Sequence, residues 1–195
     1  MDFGTVPTLV GSKITLEPLS TEHASELSGA AEGLGQLWYT HIPTPQGLPA
    51  EIERRLALRD AGSMLPFTIR RNDTGDAVGM TTFMNLDGAN RRLEIGSTWL
   101  TPSAQRTGIN TEAKLLLLGH AFEVLDCIAV EFRTHWHNLQ SRRAIAELGA
   151  KQDGVLRSHS IGTDGALRDT VVFSIIASEW PTVQLGLRER LAAHD

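Results

Sequence analysis

Three strand-length apolar runs, residues 65–70, 77–84 and 91–100, follow one another in the middle of this chain, parted only by Asn72-Asp73-Thr74-Gly75 and Asp87-Gly88-Ala89-Asn90. Joints so short and so rich in turn formers leave no room for a crossover helix, so each strand must fold back beside the one before it. An antiparallel meander is thereby set at the centre of the fold. The joint after residue 100 is of another kind. There Thr101-Pro102, a loop with a single glycine and a helical stretch over 111–125 precede the next strand at 128–134, and Leu115, Leu118 and Phe122 recur at helical spacing. Strand, helix and strand in that order make a crossover, so the sheet combines both kinds of connection.

The flanks extend the pattern. Residues 13–18 (KITLEP) alternate polar and apolar as a half-buried strand does, and Ser20 or Thr21 caps a helix running to about Ala31. An irregular stretch over 33–47 holds Trp38, Tyr39, His41, Pro43 and Pro45, and Pro49 opens a second helix that ends near Gly62. Asn138 caps a short helix carrying Ala144, Ile145 and Leu148, and Gly149 stops it. Strands at 154–161 and 168–176 flank Asp164-Gly165 as a hairpin, and Pro181 starts a last amphipathic helix through Val183, Leu187 and Leu191. No linker or repeat divides the chain, and 195 residues at 41% hydrophobic suffice for a core without staples. The expectation is a single α+β domain over 1–195 with a mixed α/β element order.

Composition removes several classes of function. The net charge of -5 comes from 18 basic and 23 acidic residues with no basic run, which argues against a nucleic-acid partner. No apolar stretch reaches the length that spans a bilayer, and the first ten residues lack a basic and apolar leader pattern, so a cytoplasmic location without membrane contact is expected. Cys127 is the only cysteine, which excludes an internal disulfide, and its apolar neighbours suit a core position.

The most informative stretch is 93–111 (LEIGSTWLTPSAQRTGINT), where a strand ends, a loop turns through Gly108 and a helix begins. The first N–H groups of a helix have no intrahelical partner and sit at the positive end of its dipole, so such a start attracts phosphate. There is no Walker lysine and no triple-glycine dinucleotide fingerprint, which sets aside a dehydrogenase. Gln105-Arg106-Thr107-Gly108-Ile109-Asn110 resembles the acetyl-CoA signature Q/R-x-x-G-x-G/A of the GNAT superfamily of N-acetyltransferases; Gln105 and Gly108 match it, and Asn110 departs from it. Further on, the run from Asn138 through Ser141 and Ile145 to Leu148-Gly149-Ala150 is similar to the N-x-x-S-x-x-x-[IVL]-x-x-[LM]-G-[AF] segment of the RimJ/RimL-like branch.

The resemblance implies a GNAT fold, a twisted and largely antiparallel sheet of about seven strands flanked by helices and splayed between its fourth and fifth strands, here 91–100 and 128–134. It implies acetyl-CoA as co-substrate, no metal, and transfer of acetyl to a primary amine, either a protein N-terminus or a small molecule. Gln105, Arg106, Thr107, Gly108, Ile109, Asn110 and Thr111 would hold the pyrophosphate, Asn138 the pantetheine arm, and the Leu100 N–H the thioester carbonyl; Arg142 would reach a coenzyme phosphate or stand as a solvated surface charge. Ser141 would meet the coenzyme sulfur as proton donor or orienting group. Trp38 and Tyr39 would line the acceptor site, or pack under their loop.

Acetyl transfer also needs a group to take a proton from the amine. Glu94 stands in an otherwise apolar strand, on the face that simple alternation gives to Gly96 and Thr98, and a partly desolvated carboxylate there suits a general base; otherwise it is a strand glutamate paired with Arg91 or Arg92. His135 and His137 form an H-x-H pair without further ligands at metal spacing, which reads as one packed and one surface histidine. A non-catalytic coenzyme-binding sensor or scaffold of the same fold is the alternative function. A homodimer fits the edge strands and the last helix.

Overall fold

A computed structural model describes residues 3–162 and 164–193; Met1 and Asp2 of the amino-terminal segment and the last two residues of the expected 1–195 domain lie outside it. The short strand β1 (Leu9–Val10) is followed by β2 (Ile14–Pro18), a 3-10 turn at Thr21–His23 and α1 (Ala24–Ala30). The Ser20 hydroxyl accepts the Glu22 N–H, so the helix expected from this cap begins as a tighter turn. α2 (Leu48–Asp60) carries Pro49 in its first turn, where a missing N–H breaks no bond. Next come β3 (Met64–Arg71), β4 (Ala77–Asp87), β5 (Arg92–Leu100) and α3 (Ile109–Gly119), which runs into a π-helical turn at His120–Val124. The chain ends with β6 (Ala129–His135), α4 (Leu139–Glu147), β7 (Lys151–Ile161), β8 (Leu167–Ile176) and α5 (Trp180–Ala192).

Among the described residues the strands form one sheet of eight, ordered β1-β2-β3-β4-β5-β6-β8-β7. The strand beyond the expected seven is β1, whose two residues are too few to show a period. Neighbours run antiparallel except β5 and β6, which the α3 crossover leaves parallel. The meander of β3, β4 and β5 follows the two four-residue turns read in the sequence.

Helices cover the sheet unequally. α3 and α5 pack on one face against Leu93, Ile95, Val130, Phe132, Val171 and Phe173, joined by Leu148 at the end of α4. On the other face α1 and α2 cover Met80 and Trp99 through Leu27, Leu48 and Ile52. Each such large apolar side chain stabilises the fold by roughly 1.5–3 kcal/mol. Cys127 is buried, and burial pushes its thiol up to about 11, so it is an inert core residue. Glu112 anchors α3: its carboxylate accepts the N–H groups of Ser12, Lys13 and Ile14 and the Ser12 hydroxyl, at 2.7–2.8 Å. That fixes the start of α3 against β2.

One irregularity redirects the middle of the sheet. From Met80 to Thr82 is two steps on β4, but from their partners Trp99 to Gly96 is three on β5, so β5 bulges at Ser97–Thr98, and Ser97 has φ 48. An extra residue moves every following side chain to the opposite face. Thr82, beside Gly96, accepts a hydrogen bond from Arg55 of α2 at 2.8 Å, whereas Thr98 accepts one from Lys114 of α3 at 2.8 Å. Glu94 and Gly96 therefore face α2, and Thr98 faces α3, which corrects the shared face expected from simple alternation.

Candidate active site

β5 and β6 pair only through Arg92–Ala129, Leu93–Val130 and Glu94–Glu131. Beyond Glu94 they part, giving the splay expected between these strands. Because the two are parallel, both end at the edge where the gap opens, and the helices that follow them, α3 and α4, start there. Diverging parallel strands with helix starts at their carboxyl ends make a ligand-binding crevice.

On the β5 side, Gly108 adopts the left-handed conformation with φ 85 and precedes α3 with no side-chain cap. A residue with a Cβ is strained there. The first bond into the helix is donated by the Glu112 N–H to the Gly108 carbonyl at 2.9 Å, so the N–H groups of Gly108, Ile109, Asn110 and Thr111 precede it and are free for an anion. The side chains before them brace the loop itself: Gln105 Nε2 donates to the Leu100 carbonyl at 3.0 Å and Thr107 Oγ1 to the Ala104 carbonyl at 2.7 Å. Arg106 also has positive φ, at 63°. A row of backbone donors on a braced loop suits a pyrophosphate.

The bulge decides where the Leu100 N–H points. The Thr101 N–H donates to the Val78 carbonyl at 2.8 Å, and the Trp99 carbonyl oxygen faces β4 so closely that a Cβ on Gly79 would lie 2.1 Å from it. Backbone groups alternate sides along a strand. The Leu100 N–H is therefore turned away from β4 and toward the gap.

Glu94 occupies the last paired position before the gap and is 6% exposed. Its Oε2 accepts from Asn85 Nδ2 at 2.7 Å and lies 3.6 Å from Arg133 Nε, so its partners are Asn85 and Arg133 rather than Arg91 or Arg92. Arg91 pairs instead with Asp126 and Arg92 with Glu131. Burial pushes the Glu94 carboxyl above its usual range, against the Asn85 bond and the Arg133 charge, which favour ionisation. A Cβ at Gly96 would stand 3.1 Å from Glu94 Oε1, so the glycine keeps a side chain off that oxygen.

On the β6 side, buried Asn138 caps α4 as expected, its Oδ1 accepting the Ser141 N–H at 3.0 Å, which places half-buried Ser141 on the first turn. Arg142 turns back: its guanidinium carbon lies 4.2 Å from the Trp136 ring centroid and its NH1 donates to the Trp136 carbonyl. That guanidinium packs on its own loop through NH1 and the Trp136 ring, while its Nε is buried without a partner among the described residues. His135 is buried, accepts the His137 N–H at 3.0 Å, and burial lowers its pKa; His137 is exposed, as the packed-plus-surface reading expects. Trp38 and Tyr39 come down on this pair, with the Trp38 ring 5.3 Å from His135 and 5.4 Å from His137. The irregular loop thus borders the open end of β6 on the α2 face. No group of three or more metal-ligating side chains occurs among the described residues.

Four residues of this site were not legible in the sequence: Asn85, Arg133, Arg55 and Lys114. The first two became partners of Glu94 only through strand register. Lys114 carried a signal, since it interrupts the apolar face of an otherwise Leu-rich helix. It is 6% exposed, donates to Thr98 at 2.8 Å and Thr81 at 3.4 Å, and burial holds its ammonium down to about 7.

A mixed sheet parted between two parallel strands, with a phosphate-ready helix start on one side, a capped helix on the other and a buried carboxylate at the fork, defines an acetyltransferase of the GNAT class. Residues 13–151 match the family described as the acetyltransferase (GNAT) domain, and the chain belongs to that family. It is 32% identical over 106 residues to YdaF of Bacillus subtilis (strain 168), named, provisionally, a ribosomal N-acetyltransferase; the match covers 54% of this chain and 57% of that protein, so the chain spans just over half the length of this curated relative. Among solved structures, a GCN5-related N-acetyltransferase from Brucella melitensis superposes with a TM-score of 0.85 at 30% identity, over 96% of this chain and 86% of that one. RimJ of Mycobacterium smegmatis, solved in complex with CoA-disulfide, gives 0.77 at 25% identity over 96% of each chain. These likenesses fit the RimJ/RimL-like branch.

Proposed function

We propose that this chain is an acetyl-CoA-dependent N-acetyltransferase that moves acetyl to a primary amine, on a protein N-terminus or a small molecule, by direct attack within a ternary complex. The observation that carries the reading is the fork itself. There a backbone donor, the Leu100 N–H, points into the gap in the plane of the sheet, and a buried carboxylate, Glu94, stands on the α2 face at the gap's closed end.

When bound, acetyl-CoA supplies the thioester. The N–H groups of Gly108 to Thr111 hold the pyrophosphate, Asn138 orients the pantetheine arm while capping α4, and the Leu100 N–H stabilises the carbonyl oxygen as charge develops on it. The acceptor amine enters from the α2 face, between Trp38–Tyr39 and the Glu94 carboxylate. Glu94 takes its proton, directly or through one water, and the Ser141 hydroxyl gives a proton to the departing thiolate and regains one from solvent. The raised pKa of Glu94 matches it to this exchange. The cytosol, where acetyl donors and amine acceptors meet, is the compartment that suits this role.

Isothermal titration with acetyl-CoA tests the reading, with Gly108→Trp as control. Binding by the wild type and its loss in the folded variant, by about 100-fold or more for a blocked anion site, is the expected result. A folded wild type that takes up no acetyl-CoA overturns the assignment. Binding without turnover of any amine in a screen of peptides, polyamines and amino acids selects the sensor reading instead.

A further inference from the structure

Two buried basic side chains reach the β5 bulge from opposite faces of the sheet. From α2, Arg55 directs NH1 and NH2 to the Ser97 carbonyl at 3.3 and 3.4 Å and NH1 to Thr82 Oγ1 at 2.8 Å, while its Nε pairs with Glu51 at 2.7 Å. From α3, Lys114 donates to Thr98 Oγ1 at 2.8 Å, and Thr98 Oγ1 lies 2.8 Å from Thr81 Oγ1. Arg55 is 3% exposed and Lys114 6%. Ser97 and Thr98 are the two residues that face one on β4, and Ser97 holds a positive φ that a serine does not adopt without support. The two contacts thus fall on the two residues that make the bulge. Removing the extra residue would return Leu100 to the α2 face and turn its N–H toward β4.

We propose that Arg55 and Lys114 are positioning residues for acetyl transfer, clamping Ser97 and Thr98 from opposite faces so that the Leu100 N–H stays aimed into the gap between β5 and β6. The assignment rests on the acetyltransferase reading for its catalytic consequence, but the clamp itself is a property of the folded chain. Among the described residues Lys114 meets no carboxylate, only the hydroxyls of Thr98 and Thr81, so its contribution to the fold is small compared with the desolvation it suffers. A purely structural lysine at this place would be replaced without loss by an apolar chain of the same length. A positioning lysine would not.

The test uses the full chain with Lys114→Met, which keeps the stem and removes the donor, and Thr98→Val, which keeps the shape and removes the acceptor; Thr98→Ser restores the hydroxyl. Expected are folded variants in which kcat drops by about tenfold or more, part of the ~100-fold that a single oxyanion donor supplies, with the KM for acetyl-CoA within twofold and Thr98→Ser close to wild type. Amide exchange at Thr101, whose N–H bonds the Val78 carbonyl, should quicken in both variants while exchange at Ile69 in β3 stays unchanged. If Lys114→Met does not fold, Thr98→Val carries the test. Wild-type kcat together with wild-type exchange at Thr101 in a folded variant overturns the proposal. If the wild type acetylates no amine, the acetyltransferase reading fails, and the exchange measurement alone decides whether the clamp exists.

Discussion

The two strands β5 and β6 behave differently at their two ends. Over Arg92–Glu94 and Ala129–Glu131 they pair in regular parallel register, Leu93 and Val130 are sealed in the core, and Arg92 reaches Glu131 at 2.6 Å. A few residues later the pairing is gone, β5 carries its bulge and a serine at positive φ, and the Leu100 N–H faces the gap. The closed end spends its backbone groups on the sheet, and the open end keeps one in reserve for a ligand. Glu94 stands on the boundary, buried like the closed end and placed at the last pair before the open one. The division of labour is therefore between stability, placed in the paired sheet under α3 and α5, and chemistry, placed where pairing stops.

The closed part should bear the largest cost when damaged. Phe83, fully buried opposite Ile95 and edge-on to Phe67 at 5.6 Å, has no route to the gap. Phe83→Ala should lower unfolding stability by ~3–5 kcal/mol, read by urea denaturation, while the folded fraction binds acetyl-CoA as before. A large fall in coenzyme affinity with little loss of stability would erase the distinction between the two ends.

Glu94→Gln should do the opposite. It removes a buried carboxyl whose ionisation is opposed by burial, so stability at neutral pH should not fall, while kcat should drop by about 100-fold if Glu94 is the base. Its base form is the ionised one, and its pKa is raised, so wild-type kcat/KM should decline as pH is lowered toward that raised value. The same limb should vanish in the variant. An unchanged pH profile with wild-type kcat would assign Glu94 to structure and leave amine deprotonation to solvent.

The same boundary separates what the sequence disclosed from what it hid. The meander, the crossover helix, the Asn138 cap and the Gly108 turn are local features, set by residues within a few positions of one another, and each can be read along the chain. The bulge at Ser97–Thr98 is different, because nothing in Gly96-Ser97-Thr98-Trp99 announces an extra residue; it exists only in register with Met80 and Thr82. Missing it put Thr98 on the wrong face and hid the meeting of Lys114 with it. The partners of Glu94 were hidden likewise, since Asn85 and Arg133 approach through pairing between strands that lie far apart in sequence. The packing of Arg142 on Trp136 was hidden too, because it depends on a turn that spacing does not specify.

Lys114 offers the effect that most directly probes the covered side of the bulge. Its ammonium is held down to about 7 by burial, whereas an unfolded lysine titrates near 10.4. Between those values the unfolded chain binds one proton more than the folded one, so stability must rise with pH by up to ~1.4 kcal/mol per pH unit from this group. Below about 7 both states are protonated and the full cost of burying the charge is present; above about 10.4 both are neutral and the cost is gone. Lys114→Met lacks this group, so it should be more stable than the wild type near neutrality, and the difference should shrink steadily as pH rises through the window. Urea unfolding of both proteins at several pH values across that window measures it, with the other titrating groups common to the pair and cancelling in the difference. Parallel stability curves would mean that Lys114 keeps its proton on folding, and that the Thr98 hydroxyl is held by a charged ammonium solvated in a way the dry interface of α3 with β4 and β5 does not provide.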